Sequence, residues 1–500
     1  MRLRNNRIAL EERANSVGKV CRWIGAVLLA LFPIGCEPAL AQDEEGAPAP
    51  GATEPASPAP GATDPAANPH AGGLFERDVL TGDWGGERSA LEAMGVQFGA
   101  NLIAEVLSNP TGGVQTGAIL EDRLELFLNL DLDKFAGWSG ATFHVNAYQI
   151  GGTGLSRGDL GNNLLTVSNI EALPTTRLFD LWLQQQFANG AVSVRVGQLA
   201  ADDEFFISQY AANFINSTFG WPAITMIDLP SGGPSYPLST PGVRVSAAPT
   251  ENLTFLGGVF NGNPAGPGVG DPQKRDPNGT NFELNDGVFV IGELAYAVNP
   301  GKDDKGLPAT YKLGGWYNSN TFPDLRFDTM GVSLASPASN GIPANHSGNF
   351  GFYGVMDQML WRDADNSNHG VAAFLRISGA PGDRNLVSFY VDGGINYLAP
   401  FQGRDNDVLG LAVAYAGVSS AASALNRDAN FFSGVGRPVQ NYEMAFELTY
   451  KAQIAPWWVL QPDFQFILHP AGNVSNPTDP TGVRPIPNAA VLGLRTTIAF

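Results

Sequence analysis

The sequence predicts an all-β chain, a 16-stranded antiparallel transmembrane β-barrel of the outer-membrane type with short periplasmic turns, long extracellular loops and a short N-terminal helix. Three observations predict it. Beyond about residue 96 the chain alternates apolar and polar side chains with period two, the mark of strands with one greasy and one wet face. The connections between those segments alternate between short and long, as they do in barrels that cross a membrane. The N-terminus carries an export signal, and no later segment reaches 18 consecutive apolar residues.

Composition agrees. Of 500 residues 44% are apolar and only 15% charged, against roughly 25% charged in an ordinary soluble domain. A chain that turns apolar side chains to lipid and polar ones to a lumen needs few outer charges. The net charge of −19 disfavours a nucleic-acid partner, which would need a basic footprint. The two cysteines, Cys21 and Cys36, both fall in the export signal. The mature chain is therefore expected to have no disulfide, no thiolate metal site and no cysteine nucleophile.

The elements follow in order. Residues 1–41 read as a signal peptide: Arg2, Arg4, Arg7, Arg13, Lys19 and Arg22 precede an apolar run from Trp23 to Gly35, and Ala39-Leu40-Ala41 offers a cleavage site before Gln42. That run is shorter than the about 20 residues a membrane helix needs. Residues 42–73, rich in Pro, Ala, Gly and acidic side chains, read as a disordered linker. Residues 74–95 form an N-terminal segment in which Leu91 and Met94 share a helix face and Gly95 suits a C-cap. The barrel occupies residues 96–500.

Within it, Leu120, Leu124, Leu126, Leu128, Leu130 and Leu132 alternate with Glu121, Arg123, Glu125, Asn129, Asp131 and Asp133, broken only by Asp122 and Phe127. Similar alternation runs through Thr142–Tyr148, Tyr442–Lys451, Leu460–Leu468 and Leu492–Phe500. Sixteen strands are expected to begin near residues 96, 117, 139, 177, 190, 241, 251, 286, 309, 348, 367, 385, 405, 440, 457 and 487. Connections after most even strands are short, and those after most odd strands long, such as 151–176, 200–240 and 418–439. The connections after strands 1 and 11 are shorter exceptions. Trp84, Trp138, Trp361, Trp457 and Trp458 lie near strand ends, where they suit an interfacial girdle. The chain ends in Phe500, closing an amphipathic strand, as exported barrels read by the insertion machinery commonly do.

Several segments resemble the carbohydrate-selective porins of the OprB type: LTGDWGGERSALEAMGV at 80–96, FFISQYAANFINSTFGWP at 205–222, PLSTPGVRV at 237–245, GGVFNGNP at 257–264, YKAQIAPWWVLQPDFQFI at 450–467 and VLGLR at 491–495. The resemblance covers the chain from about residue 74 to its end and leaves 1–73 outside. It implies a sixteen-stranded barrel whose long loops fold inward, narrowing a water-filled pore for monosaccharides or small oligosaccharides such as glucose. It also implies a periplasmic helix near the barrel mouth within 80–95.

The alternative is a general or cation-preferring diffusion porin. No H-E-x-x-H, G-x-S-x-G or phosphate loop occurs, and the five histidines show no ligand spacing, so no catalysis, metal or cofactor is expected. Parity places Glu121, Arg123, Glu125, Arg195, Arg244, Arg376, Glu443 and Arg495 on the lumen face, where guanidinium donors and carboxylate acceptors can replace water around a sugar. The 200–240 connection carries Asp202, Asp203 and Glu204, then Phe205, Phe206, Tyr210, Phe214, Phe219 and Trp221. Forty-one residues is long for a structureless loop. Folding it inward would bury those rings and build a constriction, with Phe206 and Trp221 among its anchors.

Overall fold

A computed structural model describes residues 68–162, 164–301, 304–364 and 368–500, so the expected signal peptide and all but the last residues of the expected linker lie outside the described residues. Sixteen strands close into one barrel in which each pairs antiparallel with its chain neighbours and β1 meets β16. The strands are β1 (Val96–Thr111), β2 (Gly117–Asp131), β3 (Ala141–Gly152), β4 (Thr175–Phe187), β5 (Val192–Leu199), β6 (Thr240–Thr250), β7 (Leu253–Asn261) and β8 (Val288–Val298). They continue as β9 (Ala309–Asp328), β10 (Pro343–Arg362), β11 (Gly370–Gly379), β12 (Val387–Leu398), β13 (Val408–Val418), β14 (Tyr442–Ala455), β15 (Trp458–Leu468) and β16 (Ala489–Ala499). Among the described residues no helix is long and apolar enough to cross a membrane.

Period-two alternation builds the wall, because successive side chains point to opposite faces. On β13, Leu409, Leu411 and Val413 are exposed on the outside, while Ala412, Ala414 and Ala416 are buried inside. The two interruptions read from β2 have local causes. Phe127 faces inward over Gly99, where any Cβ would lie 2.8 Å from its ring. Asp122 faces outward against Gly151, at the level where β3 ends.

The rhythm of connections also holds. Turns at 188–191, 251–252 and 456–457 contrast with excursions at 153–174, 200–239, 262–287 and 419–441. The structure departs from the expected boundaries at β9 and β10, which run to Asp328 and start at Pro343. That hairpin rises past the rest of the wall. Its outer end is polar on both faces (Asn345, His346, Ser347), so no apolar alternation marks it in sequence.

A short helix, α1 (Glu87–Ala93), precedes β1. Glu87 sits in its first turn, where a carboxylate complements the helix dipole. Gly95 at φ 84° ends it by a turn that a side chain would strain. This segment is clipped to the short-turn end of the barrel: Leu80 N donates to Ala499 O at 2.8 Å, and Trp457 Nε1 donates to Leu74 O at 2.6 Å. Trp457 is therefore covered by the N-terminal segment, whereas Trp84, Trp138 and Trp361 stand exposed. The buried His70 lies between Asp78 (Nδ1, 2.7 Å) and Glu92 (Nε2, 2.9 Å), joining the clip to α1.

Candidate permeation site

Two long connections fold into the lumen. The 200–239 loop, which contains α2 (Ala223–Asp228), crosses to the far wall and is fastened there strand by strand. On β8, Glu293 accepts from Phe206 N at 2.9 Å and from the Tyr353 hydroxyl at 3.0 Å. On β10, Asp357 accepts from Gln209 N at 3.1 Å and from the Ser208 hydroxyl. On β14, Glu447 accepts from Ile215 N at 2.6 Å and Asn216 N at 2.9 Å. From β15, Gln465 Oε1 accepts from Asn216 Nδ2 at 3.0 Å.

Arg376 on β11 is the centre of this attachment. Fully buried, it pairs with Asp392 at 2.6 Å and donates to three loop carbonyls: Phe206 at 3.1 Å, Gly220 at 2.8 Å and Thr218 at 2.7 Å. A guanidinium has five donors, and a buried one must spend them on acceptors. Between these polar ties the loop aromatics pack. Phe206 stacks on Tyr353 with ring centroids 4.0 Å apart, and Phe214 and Phe219 both meet Phe374. The wall answers with small or apolar inward residues, Phe289, Ile291, Gly410 and Ala412. At Gly410 any Cβ would come within 2.8 Å of the Phe214 ring. Trp221 is buried and donates to Gly232 O within the same loop.

The 153–174 loop is held in the same manner. Glu443 accepts from Leu165 N at 2.9 Å and from Ala471 N at 2.5 Å. Glu105, paired with Arg495 at 2.8 Å, accepts from the Ser168 hydroxyl, and Arg495 donates to Asn169 Oδ1 at 2.8 Å. Glu121 is buried directly across from Glu105, with one oxygen lacking a hydrogen-bond partner.

The residues read as lumen-facing thus fall into two groups. Glu121, Arg244, Arg376, Glu443 and Arg495 are buried, whereas Arg123, Glu125 and Arg195 keep part of their surface open on the β2–β5 side. Arg123 lies over the rings of Tyr148 (4.5 Å) and Tyr236 (5.2 Å). Arg195 lies over Trp182 at 3.8 Å, and Trp182 itself stacks on His144 at 4.9 Å. Glu125 accepts from Asn146 at 2.9 Å and Asn101 at 3.2 Å. The loop faces this group with its acidic start. Glu204 bridges Arg195 and Arg244, at 2.7 Å from each, and Asp202 accepts from Tyr236 N at 2.9 Å. Asp202 and Asp203 remain partly exposed.

Sequence parity singled out neither Trp182 nor Tyr236, although Trp182 is the inward residue on β4 between Asp180 and Gln184. Tyr236 sits in a loop, where parity carries no signal. The loop anchors Glu293 and Asp357, and Asp392 that holds the anchor Arg376, have a sequence signal, a lone carboxylate at an inward position of an apolar strand.

Among the described residues no cluster of His, Cys, Asp and Glu suits a metal ion. The arrangement offers hydrogen-bond donors and acceptors beside flat apolar rings, along a wall that a fixed loop narrows.

Comparison with known proteins converges on the same architecture. The profile of the carbohydrate-selective porin, OprB family matches residues 115–500. Porin B of Pseudomonas aeruginosa is 25% identical over 442 residues, 84% of this chain and 91% of that protein. The structure of Pseudomonas putida OprB at high pH superposes with a TM-score of 0.73 at 25% identity, covering 85% of this chain and 98% of that one. The same protein at low pH gives a TM-score of 0.52 at 19% identity over the same shares, a likeness of fold. The closed barrel, its inward loops and a family match over most of the chain lead to one conclusion: this chain belongs to the OprB family of carbohydrate-selective porins, sugar-selective β-barrels of the outer membrane.

Proposed function

We propose that the pore admits glucose-like monosaccharides and small oligosaccharides by passive diffusion, along a path between the 200–239 loop and the inner faces of β2–β5. The observation that carries this reading is the pair of part-exposed arginines held over aromatic rings, Arg123 over Tyr148 and Tyr236 and Arg195 over Trp182. A guanidinium has five N–H donors, of which Arg195 gives some to Glu204 and Gln184, so donors remain for hydroxyls, while the ring beside it suits the C–H face of a pyranose. Glu125, Asp202 and Asp203 supply acceptors on the same side. Binding of this kind is weak enough to permit exit, which conduction requires. In this reading Glu121, Arg244, Arg376, Glu443, Arg495, Glu204, Phe206 and Trp221 shape the path by fixing its loops. Liposome swelling tests it: glucose should pass faster than non-sugars of similar size.

A second reading, a general pore preferring cations, rests on the part-exposed carboxylates Glu125, Asp202 and Asp203 beside the path. Reversal potentials across a salt gradient separate the two, since a sugar path flanked by paired charges gives little ion preference.

The rest of the assignment is of the same kind. The chain acts as a channel without catalysis or cofactor. Residues 1–41 are removed on export, 42–73 form a linker ahead of the periplasmic segment 74–95, and 96–500 form the barrel. The outward apolar face meets outer-membrane lipid, and Phe500, whose amide donates to Ala100 O at 2.9 Å at the β1–β16 seam, is the residue the insertion machinery engages. Removal of Phe500 should lower the amount of assembled barrel in the outer membrane.

A further inference from the structure

The outer face of the barrel is not uniformly convex. On β8–β11, toward the periplasmic turns, it holds a groove of about 390 Å³. Gly354 forms its floor, Leu313, Leu375 and Ile377 form its walls, and Tyr296 and Tyr311 close the end nearest the turns. The size falls within the range of roughly 300–1,000 Å³ typical of small-ligand pockets. The depth has a simple cause. Gly354 lies between Leu313 and Ile377 in register, and Gly292 pairs with Gly315 one outward row above, so the sheet lacks side chains where its neighbours have long ones.

The groove's surroundings specify its occupant. It lies within the lipid-facing band, continuous with exposed Leu294, Leu375 and Ile377, where water cannot fill it. Leu313 and Phe352 stand proud at 70% and 68% exposed. Such ridges keep another barrel's wall from reaching the floor and leave room for a thin flexible chain. The polar end is the periplasmic one: the Tyr311 hydroxyl donates to Gln358 at 2.7 Å, Tyr296 is its cross-strand partner, and Lys305 is exposed in the β8–β9 turn below. Tyrosine at this depth pairs a buried ring with a wet hydroxyl.

We propose that this groove is a binding site for one acyl chain of a glycerophospholipid of the periplasmic leaflet, with the headgroup against Tyr296, Tyr311 and Lys305. The site is separate from the sugar path, which runs inside the opposite wall.

The test uses the full barrel in detergent, with palmitoyl-oleoyl phosphatidylglycerol as the added lipid, and native mass spectrometry to count retained lipid. Gly354→Leu fills the floor: a Cβ there would sit 3.7 Å from Leu313 and 3.8 Å from Ile377, ordinary contact, so the strand accepts a side chain. Retention should fall at least severalfold in Gly354→Leu. It should fall in Leu313→Ala, which removes a wall at an exposed position, and stay unchanged in Ala118→Leu on the opposite face. Glucose permeation should be unaltered in all three, which also shows that each is folded. Equal retention in wild type, Gly354→Leu and Leu313→Ala would overturn the proposal. So would a wild-type dimer that Gly354→Leu converts to monomer, because the occupant would then be a second copy of the chain.

Discussion

The inner wall from β8 to β15 and the inner wall from β2 to β5 have the same strand pattern and opposite fates. Both place ionisable side chains on alternate inward positions. On the first wall a loop covers them, and Glu293, Asp357, Arg376 and Glu447 use their hydrogen bonds on loop backbone. On the second, Arg123 and Arg195 keep open surface and lie on aromatic rings. An inward charge in a barrel is therefore not by itself a pore-lining charge. Its role depends on how fully a loop covers it, since the loop also touches Arg123 through Tyr236 and Arg195 through Glu204 yet leaves both partly open, and in the proposed function this divides the interior into scaffold and path.

The sharpest way to break this contrast is to remove a charge from the covered wall. Arg376→Met leaves Asp392 buried without its partner and three loop carbonyls without a donor. Breaking a buried pair from one side costs about 3–5 kcal/mol. The urea midpoint of the barrel should drop, and single-channel conductance should rise as the loop loosens. Phe206→Ala follows. Losing a buried ring that stacks on Tyr353 costs about 3 kcal/mol, and conductance should rise without the loss of an ion pair.

On the open wall the effect moves from stability to transport. Arg195→Ala and Arg123→Ala should lower the urea midpoint by less than Arg376→Met does, since Glu204 keeps Arg244 when Arg195 is lost. A hydrogen bond from a charged group contributes about 1.5–3 kcal/mol, so loss of one per sugar should slow glucose permeation by roughly tenfold, read by liposome swelling. The finding that would undo the contrast is the reverse pattern, with Arg376→Met altering sugar preference alone and Arg195→Ala destabilising the fold.

The smallest expected effect lies outside the barrel. Burial opposes a charge on His70, but its hydrogen bonds and ion pairs with Glu92 and Asp78 outweigh burial and raise its pKa above the usual 6.5. A raised value means the folded state binds the proton more tightly, so the clip contributes fully below about 6.5 and fades as pH climbs through the higher folded value. The thermal midpoint should fall modestly on going from mildly acidic to alkaline pH. His70→Gln should flatten that change.

Much of this was legible in sequence. Alternation located all sixteen strands within a few residues, because membrane and lumen impose opposite solvents on adjacent side chains. The β9–β10 hairpin was misjudged where it leaves the membrane, since Asn345, His346 and Ser347 meet water on both sides and period two disappears. The inward fold of the 200–239 loop was readable from its aromatics, a cluster of six rings whose burial favours folding the loop inward. The division of the lumen was not. Whether Arg376 or Arg195 is covered depends on which strand the loop reaches, a contact about 170 residues apart in the case of Phe206 and Arg376. Nothing in β11 alone encodes it.

The measurement that bears most directly on the division is liposome swelling with glucose and with a neutral non-sugar of similar size, comparing wild type with Arg123→Ala/Arg195→Ala. Wild type should pass glucose faster, and the double variant should pass the two solutes at similar rates while remaining a folded barrel. A double variant that retains the full glucose preference would contradict the placement of the sugar path on the β2–β5 wall.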